Sequence, residues 1–461
     1  MIGGAARQRG APTSLAWREA DIKVCIVDTE LAGLDFAIRC VEAGHEVQLF
    51  QQTKHPIGDG FKGVKRVTDL QASLKWCGKD GLILPTGNAK FLAELERWRD
   101  FGYPVFGPSY ASAQLEIDRE AGMKVMQAAG LDLPHYQMFN TLDEAEAFAM
   151  KANDPYVFKT MGSEEDKSLS FIAHDPAELV GWLRRQKARG MRLDSKCMLQ
   201  EKIDMYCEMG VSMWCGPEGF INTPQIAFEH KKLMNEEIGP NTGEMITLCQ
   251  YEEEEKMSDE MLKPLESVMV ALKHVGDTAI NCGIDKKGKA WPFELTQRLG
   301  WPAFYLQTAT HKGDPVQWMR DLLDGKDSLS VDYRPSMGVV LAQPPWPQFN
   351  GKPECVDGNP VSGIDDVRDQ IHPAMMMRAK GPVMRGDKVA EDMTYQTAGE
   401  MVCVATGVGT TVEKAKAKAY KAVKAVRFCD MEFRTDGGDK IVAVLDDLHR
   451  HGYALQMEAG V

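Results

Sequence analysis

The feature that most constrains this chain is its opening pattern. Ile22–Val27 is an uninterrupted apolar run of strand length. It is followed by a helical stretch over Leu31–Ala43, a stop at Gly44 and a second strand over Glu46–Phe50. A strand, a crossover helix and another strand form a βαβ unit, which implies a parallel sheet with helices packed on its faces. Asp80–Pro85 and Tyr103–Phe106 read as later strands of the same unit, and Gly107-Pro108 punctuates its end. With 461 residues the chain is too long for one core, so two to four domains are expected.

A second segment begins with a helix from about Ala111 to Ala129. Thr141 with Glu144 predicts a capped helix start, and Asp175-Pro176 with Glu178 predicts another. Between them Tyr156-Val157-Phe158-Lys159 reads as an apolar strand ending in lysine. Strands are expected near Cys197–Gln200, Gly210–Cys215 and Pro224–Phe228. A helix over Ser258–His274 then leads to a hairpin of Thr278–Ile284 and Ala290–Glu294, turning at Lys286–Lys289. In a third segment Met337–Ala342 and Met401–Ala405 read as strands, with a proline-rich loop (Pro344, Pro345, Pro347, Pro353) between them. Thr410 and Glu413 mark the start of an Ala/Lys-rich helix running to about Val426.

The formal charge of −13 argues against nucleic acid or an anionic membrane as a partner, and no apolar run approaches bilayer length. Eleven cysteines without a C-x-x-C pair suggest reduced thiols and a cytoplasmic setting, with neither a disulfide framework nor a zinc site. Met1–Ala20 is rich in Gly, Ala and Arg and lacks the apolar stretch of a secretory signal, so it reads as a disordered extension.

Function is carried by Phe228-Glu229-His230-Lys231-Lys232 and, after an acidic loop, Gly239-Pro240-Asn241-Thr242-Gly243-Glu244-Met245. Basic side chains beside a glycine-rich turn with small polar residues suit a phosphate or a carboxylate. The string resembles the E/D-H-K-K/R…G-P-N-T-G-G-M signature of the glycinamide ribonucleotide synthetases (phosphoribosylamine–glycine ligases) within the ATP-grasp superfamily. The resemblance runs in order from about Lys23 to Gly438. It implies an α/β chain with an N-terminal Rossmann-like lobe (22–107), a two-lobed ATP-grasp body (108–330) and a small α/β C-terminal domain (331–440). An extension (1–21) and a tail with one short helix (441–461) flank them.

Enzymes of this kind phosphorylate a carboxylate with ATP and Mg²⁺ (or Mn²⁺), and an amine then attacks the acyl phosphate. By resemblance, Lys159 and Lys167 match the lysines of the K-A-D-G-L-A-A-G-K-G-V phosphate-covering loop, and Arg119 in Leu115–Arg119 takes the place of a nucleotide-binding lysine. Gln200-Glu201-Lys202-Ile203 matches the adenine hinge, assigned to Glu201 and Ile203, and Glu208 the carboxylate for the ribose hydroxyls. Pro292–Gly300 resembles E-F-N-x-R-F-G-D-P-E, implying metal binding by Glu294 and Thr296. Arg298 is implied as catalytic and substrate-facing together with Lys159. His230, Lys231, Pro240, Asn241, Thr242, Gly243 and Gly300 are implied to line the substrate side.

Several positions depart from the pattern. Thr296 replaces Asn, and Glu164-Glu165 with Asp166 bring negative charge into the phosphate loop. Asp28-Thr29-Glu30-Leu31-Ala32-Gly33 replaces the G-S-G-G-R-E-H loop that holds the ribose phosphate, and Glu400 replaces an arginine. The last two changes fall on the amine side. The resulting expectation is a small-molecule ligase, monomeric or homodimeric, acting on ATP, an amino acid such as glycine and an amine. A sister ligase with a different amine and a non-catalytic ATP-binding homologue are the alternatives.

Overall fold

The computed structural model describes residues 21–161, 170–193, 196–347 and 356–460. β1 (Lys23–Val27) and β2 (Glu46–Phe50) pair in parallel, joined by α1 (Leu34–Glu42). β3 (Val64–Val67) and β4 (Leu82–Pro85) complete a parallel sheet in the order β3-β2-β1-β4, with α2 (Leu70–Cys77) between β3 and β4 and α3 (Leu92–Asp100) after β4. Val24 to Val27 are all fully buried, as expected of a strand covered on both faces. The half-polar edge strand β3 was not legible in the sequence. Tyr103–Phe106 is not a strand: Val105 makes one parallel bridge to Ile83, beside Pro104, which has no amide to extend the ladder.

The helix expected over Ala111–Ala129 is two helices, α4 (Tyr110–Ile117) and α5 (Arg119–Ala128). Asp118 leaves helical geometry between them (φ −94°, ψ 92°) and its carboxylate caps α5 at the Ala121 amide. β5 (Tyr136–Phe139), β6 (Tyr156–Thr160), β7 (Phe171–Ile172) and β8 (Cys197–Glu201) form an antiparallel sheet in the order β5-β8-β6-β7. α6 (Leu142–Ala149) and α7 (Pro176–Ala188) pack against it, starting at the Thr141 and Asp175 caps expected from sequence.

The largest sheet holds β9 (Met205–Gly216), β10 (Gly219–Phe220), β11 (Gln225–Met234), β12 (Ile238–Tyr251), β13 (Gly276–Asp285) and β14 (Ala290–Thr296). It continues into β15 (Ser336–Ala342), β17 (Ile371–Pro373) and β20 (Met401–Val408) in the order β14-β13-β9-β11-β12-β15-β20-β17. Ile246 of β12 faces Val339 of β15, so the sheet crosses residues 330 and 331 without a break. β16 (Asp357–Val361), β18 (Met376–Arg385) and β19 (Lys388–Ala398) form a separate antiparallel sheet.

Three further differences from the sequence reading have local causes. The helix expected over Ser258–His274 is interrupted at Lys263–Leu265, where Pro264 cannot donate to the preceding turn. The Ala/Lys-rich helix runs Val412–Ala425 and is capped by Thr411, one residue later than expected. Its alanines allow close packing: a Cβ on Gly407 would lie 2.3 Å from the Ala415 carbonyl oxygen. The Gly-Pro-Asn-Thr-Gly string is not a free turn but lies on β12, in a hairpin with β11.

Candidate active site

Lys159 lies at the end of β6 and is buried, its Nζ 5.6 Å from the centre of the Phe293 ring. Its pKa is pushed down to about 7, first by burial and then by Arg119 and Lys231, with Glu294 and Glu208 opposing. Those four neighbours define the site. The break at Asp118 puts Arg119 in the first turn of α5, where its Nη2 lies 3.0 Å from Glu294 Oε2 on β14. Lys231 on β11 bonds Glu208 on β9 and lies 3.1 Å from Glu229. Burial works against the Lys231 charge, but Glu229 and Glu208 outweigh it and hold its pKa well above the usual lysine value. Cations from three elements therefore converge with carboxylates between two sheets. A polyphosphate could exchange for the carboxylates as partner of those cations, without charges having to be assembled at the moment of binding.

Glu294 and Thr296 alternate onto one face of β14, opposite Asn281 and Ala279 of β13. Asn281 was not found from sequence. Counting the hairpin register back from the Lys286–Lys289 turn would have placed it opposite Phe293, and a bulge between Asn281 and Cys282 moves it opposite Glu294. It stands on the neighbouring strand opposite Glu294 and carries an amide oxygen of the kind absent at position 296. A carboxylate, an amide oxygen and a hydroxyl are hard donors that fit Mg²⁺. Among the described residues no group of three or more His, Cys, Asp or Glu side chains could hold a metal by itself.

Arg298 is anchored by Glu116, a residue of the Leu115–Arg119 string for which the resemblance implied no role. Glu116 on α4 accepts from Arg298 Nε (3.1 Å), the Gln297 amide (2.7 Å) and Asn88 Nδ2 (2.6 Å). It thereby ties the N-terminal lobe to the end of β14. Glu116 is also the main cause of the raised Arg298 pKa; burial opposes it, and Glu30 adds to it. Glu116, Arg119 and Glu294 line one cleft with about 220 Å³ of empty space.

The remaining expected residues are spread more widely. Glu201 and Ile203 lie at the β8–β9 connection, the strap between the two sheets, and the Glu201 amide is bonded to the His135 carbonyl. Lys167 lies outside the described residues. His230 is buried, with its pKa pushed down to about 3 by burial and then by Lys440 and Arg434, so its charged surroundings differ from those of Lys159. Thr242 donates to the Lys231 carbonyl (3.0 Å), Asn241 pairs with Lys232, and Pro240 and Gly243 are exposed. The Gly300 amide is directed to the buried carboxylate of Asp277.

Of the two carboxylates that replace the phosphate-binding loop, Glu30 is exposed, whereas Asp28 does not stand open to a ligand. Asp28 is buried. Its Oδ1 accepts from the Ala32 and Gly33 amides (2.9 and 3.0 Å) and from Thr86, and its Oδ2 from Gln51 (2.7 Å). Leu31 takes a left-handed conformation (φ 58°), and α1 starts at Leu34 instead of Leu31. The amides at a helix N-terminus are a natural phosphate site, and here an internal carboxylate takes the N-cap amide of Gly33 and the Ala32 amide before it. Glu400 is also buried.

Compared with protein-family profiles, the chain matches none. Among curated proteins it is similar to the phosphoribosylamine–glycine ligase of Neisseria meningitidis serogroup B, at 25% identity over 398 residues, covering 82% of this chain and 88% of the relative. The enzyme of the same name from Ralstonia nicotianae is 24% identical over 366 residues, covering 76% and 81%. Among solved structures, the Thermotoga maritima phosphoribosylamine–glycine ligase superposes with a TM-score of 0.66 at 21% identity, over 90% of this chain and all of that one. An L-amino acid ligase from Bacillus licheniformis gives 0.57 at 14% identity, over 88% and 98%. These neighbours share the multi-domain α/β fold of the ATP-grasp ligases.

Proposed function

We propose that this chain, a divergent homologue of the phosphoribosylamine–glycine ligases on an ATP-grasp fold, is an ATP-dependent ligase that forms a C–N bond between an amino acid and an amine. The observation that carries the reading is the convergence of Lys159, Arg119, Lys231, Glu208 and Glu294 between the two sheets. Lys159 and Arg119 neutralise the transferring phosphates, and the β8–β9 strap with Glu201 and Ile203 receives the adenine. Glu208 serves the ribose. Glu294, Asn281 and Thr296 would hold Mg²⁺, which when bound draws electron density from the phosphate oxygens. Arg298, fixed by Glu116, orients the amino-acid carboxylate for phosphorylation. Lys231 faces the same space and stabilises the departing phosphate.

The amine is read as one without a phosphate, because Asp28 already holds the Ala32 and Gly33 amides that lead into α1. Division into an N-terminal lobe, a body and a C-terminal domain belongs to the same proposal, as does a cytoplasmic setting. The test is ADP release by the full chain with ATP, Mg²⁺ and glycine, screened against amines that include phosphoribosylamine. Amino-acid-dependent ADP release supports the ligase reading, and its absence with every amino acid overturns it. Efficient glycinamide ribonucleotide formation at micromolar phosphoribosylamine overturns the phosphate-free amine.

A further inference from the structure

The β11–β12 hairpin changes register where the basic segment meets the glycine-rich one. His230 faces Ile246 and Lys232 faces Asn241, so Thr242, Gly243, Glu244 and Met245 together stand opposite Lys231. Such a bulge re-aims the side chains it carries. Gly243 makes it possible with a φ of 82°, and the Thr242 hydroxyl pins it to the Lys231 carbonyl. Glu244 is the residue turned by this bulge. It is 3% exposed, is bonded by the Thr247 hydroxyl and lies among Glu229, Lys231 and Lys440.

Glu229 is committed to Lys231 at 3.1 Å, whereas Glu244 has no ion pair among the described residues. A buried carboxylate without a cation is costly. Burial first, and then Glu229, raise its pKa well above the ordinary glutamate value, against Thr247, Lys231 and Lys440. An arriving cation would relieve both effects. The signature that this segment resembles has glycine at the position, so the carboxylate is a particular of this chain. Asp28 is a second departure on the amine side: it holds the Ala32 and Gly33 amides just before α1, while Glu244 adds a carboxylate near Lys231.

We propose that Glu244 receives the ammonium group of the amine substrate and takes its proton, selecting a cationic, phosphate-free amine as the nucleophile. The inference rests on the ligase reading above. The ammonium gives one proton to the Glu244 carboxylate, and the neutral amine adds to the acyl-phosphate carbon. The new C–N bond forms as the C–O bond to phosphate breaks. The second proton leaves the nitrogen with the departing phosphate.

Hydroxylamine, largely neutral at pH 7.5, traps an acyl phosphate as a hydroxamate without needing a base, and methylammonium is the smallest cationic competitor. With full-length protein, ATP, Mg²⁺ and glycine, methylammonium should suppress hydroxamate formation. Glu244→Gln should raise the methylammonium concentration needed at least roughly tenfold, the loss of one charge-assisted hydrogen bond. Glu244→Gly, which restores the glycine of the signature, should do the same and guards against misfolding of the first variant. No suppression in the wild type, or equal suppression in both variants, overturns the inference. Absence of hydroxamate in the wild type instead overturns the ligase reading.

Discussion

Lys159 offers the sharpest quantitative prediction. Its pKa falls from the usual 10.5 to about 7 through burial and the neighbouring Arg119 and Lys231. At pH 8 the free protein therefore carries roughly 0.1 proton on this amine. A phosphate charge about 4 Å away contributes roughly 4 kcal/mol at an effective dielectric near 20, equivalent to about 3 pKa units. Nucleotide binding should thus return Lys159 to nearly full protonation, taking up roughly 0.9 proton at pH 8 and roughly 0.1 at pH 6. The sign follows from the depressed pKa. Binding must pay to protonate the lysine above pH 7, so affinity weakens about tenfold per pH unit from there upward until the bound-state pKa is reached. Calorimetric titration with metal-free ADP in buffers of different ionisation enthalpy reads the proton count directly. Lys159→Arg keeps the charge permanently and should abolish the uptake. A wild-type enthalpy independent of buffer at pH 8, or the same uptake in Lys159→Arg, would refute the reasoning.

Two other perturbations test the frame around this lysine. Glu116→Ala removes the acceptor shared by Arg298, the Gln297 amide and Asn88, and should cost about 2–3 kcal/mol. That is the low end for a buried pair, because the Arg298 side chain is 29% exposed. A urea midpoint unchanged from wild type would show that the three segments are not held together there. Glu294→Gln should raise the Mg²⁺ concentration for half-maximal ADP release by about tenfold or more, whereas an unchanged Mg²⁺ dependence would remove Glu294 from the metal.

What the sequence determined by itself is mostly local. Apolar runs such as Val24–Val27, the caps at Thr141 and Asp175 and the β13–β14 turn each follow from a few adjacent residues, so the α/β character was legible directly. The order of motifs carried the ATP-grasp resemblance, and with it the expectation that Lys159, Arg119, Glu294 and Arg298 share a site, and the fold brings these four near one another. Tertiary structure decided what depends on distant partners. Asp28 reads in sequence as a charge open to a ligand, but its orientation depends on Gln51 and Thr86, residues far along the chain. Asn281 and Glu116 acquire their places from strand register and from a contact across 182 positions of sequence. Glu244 comes near Lys231 through a bulge in which four residues of β12 stand opposite one of β11. Local propensity fixes which elements form. Burial and pairing between remote segments fix which charges meet, and the chemistry depends on those meetings.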